Sequence, residues 1–158
     1  MIKRIQMISL ILLFMSFSTA CGQNEDESYS QFKEEIDSFC VSISTLDSQI
    51  NNIDTSSADY IDELLSSLDS LDDEFEKFSS LDFPDEYNYL EATADEASAY
   101  MKEAVKSFHE AFTNEKYNEE TFTAQYKYAR ENYSRAYKRI QIIITFLHGE
   151  EPTGAILQ

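Results

Sequence analysis

The chain has 158 residues, with 12 Lys and Arg against 30 Asp and Glu, a formal net charge of -18. One domain fits that length, and 3 Gly with 2 Pro are too few turn-formers for a sandwich or barrel. A hydrophobic content of 42% is too high for a disordered acidic chain, and so acidic a surface repels phosphates, so no nucleic-acid partner is expected.

The first segment reads as an address. Lys3 and Arg4 precede an apolar run over residues 8–17 (ISLILLFMSF), the charged-then-apolar order of a secretion signal. Ser18, Thr19 and Ala20 then place small residues ahead of Cys21. In this stretch the chain resembles bacterial lipoproteins, whose lipobox ends in a small residue and a Cys; Ser18 stands where Leu is usual. The resemblance implies a cleaved signal peptide over residues 1–20 and lipid on Cys21. It places the protein at the extracytoplasmic face of the cell membrane, held by palmitate-type acyl chains. An uncleaved apolar anchor and a plain cleaved signal are the alternatives. Two acyl chains anchor stably, and losing Lys3 and Arg4 makes the mature chain still more acidic. Residues 21–27, the lipidated Cys and a short polar linker, keep the domain near a bilayer whose anionic head groups do not attract it.

From residue 28 apolar residues recur at alternating steps of three and four. The runs are Phe32, Ile36, Phe39, Ile43, Leu46, Ile50, Ile53; Ile61, Leu64, Leu68, Leu71, Phe75, Phe78; Tyr87, Leu90, Ala94, Ala97, Met101, Ala104, Phe108, Ala111; and Phe122, Tyr126, Ala129, Tyr133, Ala136, Ile140, Ile143, Leu147. None of these seam residues is charged. The 3.5-residue period puts each run on one helix face and implies coiled-coil-like packing. It predicts an all-α fold, an antiparallel up-down-up-down four-helix bundle over residues 28–149. Residues 150–158 read as a flexible tail.

Helix-end signals agree with the periods. Ser28 with Gln31 reads as a capping box, and residues 54–57 offer caps for the second helix. Pro84, Asp85 and Glu86 suit a first turn of the third helix. Asn118 is placed to cap the fourth, with Tyr117 and Phe122 as a staple; Gly149 and Pro152 end it. The alanines of the third helix leave room for a close neighbour, or for an aromatic ring from across the bundle.

Residues with chemistry to offer are few. Cys40 adjoins Phe39 and reads as a partly buried free thiol, with an intermolecular disulfide as the alternative. His109 and His148 lack the Glu three residues earlier that a di-metal bundle uses, since Lys106 and Thr145 stand there; no metal or cofactor is expected. Residues 22–98 carry 22 acids and only Lys33 and Lys77 as bases, while residues 99–158 are neutral. The fourth helix is expected to neutralise part of this acidity by lying beside the first. Tyr126 and Tyr133 lie on the fourth seam, while Tyr128 and Tyr137 lie off it, placed to flank a groove or touch a partner. The sequon at Asn132 falls mid-helix and is discounted.

These observations point to a membrane-anchored, non-enzymatic module that meets another protein of unknown identity or serves a structural role. The mature part is similar in style to small helical lipoproteins of Gram-positive bacteria. The alternative is a small-ligand binder with a cavity inside the bundle, lined by Tyr126, Tyr133, Met101 and the alanines.

Overall fold

A computed structural model describes residues 27–113 and 118–148. The signal segment, Cys21, Tyr117 and the tail from residue 149 lie outside these, as do the side chains of Glu27 and Ser28. Helix α1 spans Glu27–Asn52, α2 Tyr60–Ser79, α3 Glu91–Thr113 and α4 Glu119–Leu147. A 3₁₀ helix, Asp85–Leu90, leads into α3. The described residues contain no strand, and the architecture is the all-α four-helix bundle that the periodicity predicts.

The seams explain the helices. Every residue of the four predicted runs is buried or half-buried, because a repeat near 3.5 keeps one face turned toward the same neighbours. Packing is uneven, however. α3 lies closest to α4, α2 packs on both α1 and α3, and the backbone of α1 stands farther from that of α4. Small side chains set this order. Ala94, Ala97 and Ala104 on α3, and Ala129 and Ala136 on α4, are fully buried, so those two backbones come together without interposed bulk. Of the two readings of the alanine stripe, close approach is the one that occurs. The tyrosines of α4 do not cover it: Tyr126 meets Phe108 and Phe112 edge-on, and Tyr133 turns toward α1.

Aromatic rings fill the end of the bundle where α1 begins. Phe39 stacks on Phe78 with centroids 4.3 Å apart and meets Phe75 edge-on at 5.5 Å. Phe83, outside every seam, is buried too, with its ring 4.9 Å from that of Phe32. The segment from Ser80 to Leu90 folds back over the core to place it there. Pro84 differs from expectation for the same reason. Its ψ of 148° caps the 3₁₀ helix, whose first bond runs from Tyr87 N to Pro84 O at 2.7 Å, and α3 starts only at Glu91.

Other ends divide similarly. Asn118 accepts from Thr121 N at 3.0 Å, the cap that its position predicts. Replacing it with Ala should cost about 1 kcal/mol, read as a lower urea midpoint with an unchanged slope; no change would mean water satisfies that amide equally well. Asp54 instead closes a turn onto Ser56 at 2.9 Å, and Asp59 at the start of α2 makes no side-chain cap. Gln31 reaches forward to Glu35 at 3.1 Å, and the Ser28 side chain of the expected capping box lies outside the described residues. Charge is also distributed differently from expectation. Arg139 pairs with Glu96 of α3 at 2.5 Å, and Arg135 and Arg139 both lie over the Tyr100 ring. The close contact of α4 is α3, so there Arg135 and Arg139 find partners.

Candidate functional site

The wider spacing of α1 from α4 leaves a groove. A cavity of about 200 Å³ opens there, with Ile50, Leu68 and Phe108 among its apolar lining and Tyr126, Tyr133 and Tyr137 along the α4 side. Asp47 and Asn51 contribute from α1, and Arg130, Ser134, Lys138 and Gln141 from the outer part of α4. The site thus draws on all four helices. Residues 126, 130, 133, 134, 137, 138 and 141 share one side of α4 because helical neighbours recur every three or four positions.

Asp47 is the polar centre. Tyr133 Oη donates to its Oδ1 at 2.5 Å and Tyr137 Oη donates to the same oxygen at 3.2 Å. The two hydroxyls are 3.3 Å apart, and the rings are 4.8 Å apart between centroids. Oδ2 has no hydrogen-bond partner among the described residues. Burial pushes the Tyr133 phenol far above its ordinary value near 10, and Tyr137 and the Asp47 carboxylate push it further. Burial, then Asp47, does the same to Tyr137. Ionising either ring would place a second negative charge beside the carboxylate with little water to solvate it. Both phenols therefore remain neutral donors. The arrangement offers a carboxylate held by two hydroxyls, an apolar floor and cations at the rim.

The tyrosines singled out in the sequence separate in space. Tyr126, Tyr133 and Tyr137 line the cavity. Tyr128 is 47% exposed, whereas Tyr137 is 3% exposed, so the two do not share an outer surface. Met101 and the alanines of α3, expected in the cavity wall, are instead sealed in the core. Asp47 went unrecognised in the sequence. Its signal was positional: four residues after Ile43 and three before Ile50, it is an acid set on the flank of an apolar seam.

Remaining residues of interest have ordinary places. His109 Nε2 lies 2.7 Å from Asp69 Oδ1, an exposed tie between α3 and α2. Asn132 is buried, with its amide on Tyr128 O at 3.1 Å, which removes the sequon from use. Cys40 is free and buried, and desolvation, then Asp37, pushes its thiol up to about 11. Since the thiolate is the reactive form, modification by an aromatic disulfide at neutral pH should be at least about 100-fold slower in the folded than in the unfolded chain. Equal rates would show that α1 opens readily around Phe39 and Cys40.

No family model, curated protein or solved structure matches this chain.

Proposed function

We propose that this chain is a lipid-anchored extracytoplasmic binding module, attached to the membrane through Cys21, whose bundle holds a small molecule in the groove between α1 and α4 without transforming it. The signal-like segment and the lipobox-like residues 18–21 support the anchor. Among the described residues no helix is long and apolar enough to cross a membrane. One observation carries the binding reading: an apolar cavity into which a carboxylate and three tyrosines converge, the usual make-up of a ligand site. A protein-docking face has less support. The exposed large hydrophobics of the described residues are Val41, Tyr89 and Tyr128 alone, whereas a docking patch is a contiguous apolar area of several residues.

Two measurements test the two halves. Metabolic labelling with an alkyne fatty acid should mark the protein and fail on the Cys21→Ala variant; equal labelling of both would refute the anchor. A thermal-shift screen of the full chain in detergent should find small ligands that stabilise it. That stabilisation should disappear in Ser134→Trp, which sets an indole at the exposed mouth of the groove. Ligands that stabilise both forms alike would place binding elsewhere.

A further inference from the structure

We infer that the groove takes a small zwitterion with an apolar side group: a primary ammonium held by Asp47, a carboxylate held by Arg130 and Lys138, and an aliphatic or aromatic group on the floor. This rests on the binding reading of the groove and specifies its ligand.

Three features lead to that class. The first is size. A cavity of about 200 Å³ holds about seven waters' worth of volume and falls below the range of drug-sized sites, roughly 300–1,000 Å³. A free amino acid is of that order; a lipid tail or a folded peptide is not.

The second is charge. Asp47 is the carboxylate lining the cavity, and Arg130 and Lys138 are its cations. Tyr133 and Tyr137 both reach Asp47, so it stands level with that part of α4, between Arg130 on one side and Lys138 on the other. Eight residues of helix separate those cations, about 12 Å of axis, and both side chains are exposed and long enough to lean inward. A ligand carrying only one sign of charge leaves either the carboxylate or the two cations unanswered. A zwitterion answers both.

The third is preorganisation. The tyrosine hydroxyls already hold Oδ1 of Asp47 in place, leaving Oδ2 available to an ammonium. Ile50, Leu68 and Phe108 then receive the apolar group, whose burial supplies affinity that two solvated charges alone lack.

The test uses the full chain in detergent micelles and four probes: L-phenylalanine, phenethylamine, 3-phenylpropionate and benzyl alcohol. Binding is read by titration calorimetry, with circular dichroism confirming that each variant is folded. L-Phenylalanine should bind at least tenfold more tightly than any of the other three. Asp47→Asn keeps an acceptor for the tyrosines and should weaken L-phenylalanine and phenethylamine tenfold or more while sparing 3-phenylpropionate. The double variant Arg130→Ala with Lys138→Ala should weaken L-phenylalanine and 3-phenylpropionate tenfold or more while sparing phenethylamine. Equal binding of benzyl alcohol and L-phenylalanine, both lost in Ser134→Trp, would overturn the zwitterion and keep the groove as a site. If 3-phenylpropionate binds best and ignores Asp47→Asn, the ligand is a simple anion and the inference fails. Absence of binding by all four probes at millimolar concentration would overturn the zwitterion and count against the binding reading together.

Discussion

Between about pH 10 and pH 12 the bundle should lose roughly 5 kcal/mol of stability through Tyr133 and Tyr137 alone. In the unfolded chain both phenols release their protons near the ordinary value of 10, whereas in the fold both are held well above it. The unfolded state therefore binds fewer protons above pH 10, and stability falls as pH rises. Each such proton contributes a slope of about 1.4 kcal/mol per pH unit, so the pair contributes about 2.7. Below pH 10 their contribution is fully present and flat. Domains of this kind have only about 5–15 kcal/mol in hand, so the loss is enough to unfold many of them. Urea melts at stepped pH, followed by helical dichroism and by tyrosinate absorbance, check this. Tyr133 and Tyr137 should ionise only as the helices melt. Tyr133→Phe and Tyr137→Phe should each reduce the alkaline slope by about half. Unchanged slopes in both variants would mean that the hydroxyls at Asp47 are open to solvent and that the site is looser than its geometry.

Phe75→Ala is the substitution expected to cost most in the core, about 3–5 kcal/mol, with a fall in Tm of about 10–20 °C. Phe75 is fully buried, meets Phe39 at 5.5 Å and meets Tyr137 edge-on at 5.6 Å. Its loss removes the apolar burial of a whole ring and leaves a cavity at the junction of α1, α2 and α4. It also withdraws the support behind Tyr137, so affinity at the groove should fall together with stability. Phe75→Leu keeps most of the volume and should cost less than half as much. Val41→Ala, at a position 59% exposed, is the control and should stay within about 0.5 kcal/mol. Equal effects of the core and surface changes would show that the aromatic end of the bundle is not close-packed.

The helices were legible because their signal is local. Phe32, Ile36, Phe39 and Ile43 all fall on one face for any chain that is helical there, and burial of that face follows whatever covers it. Asn118 was legible as a cap for a similar reason, since its partner, the amide of Thr121, is three residues away. Pro84 was harder. Its fixed φ suits the first turn of an α-helix and the residue before a 3₁₀ helix alike, and the buried position of Phe83 decides between them. The site was legible only in part. Tyr126 and Tyr133 stood out as aromatics on a seam, but Asp47 resembled the many other acids of an acidic chain.

The amino-acid sequence by itself determined four helices, the face that each buries and the order in which they follow one another. All of these come from periodicity and from short-range capping within single elements. The tertiary structure alone decided which pair of helices lies close and which stands apart. The close pair, α3 and α4, is the pair that buries small alanines on both helices, a match across a sequence separation that no local pattern encodes. With α3 and α4 drawn together, α1 cannot approach α4 equally well, because Tyr133 and Tyr137 stand between them with Asp47 as their acceptor. The groove and its polar centre are thus products of uneven side-chain volume at helix contacts, a property of pairs of helices and of no single one.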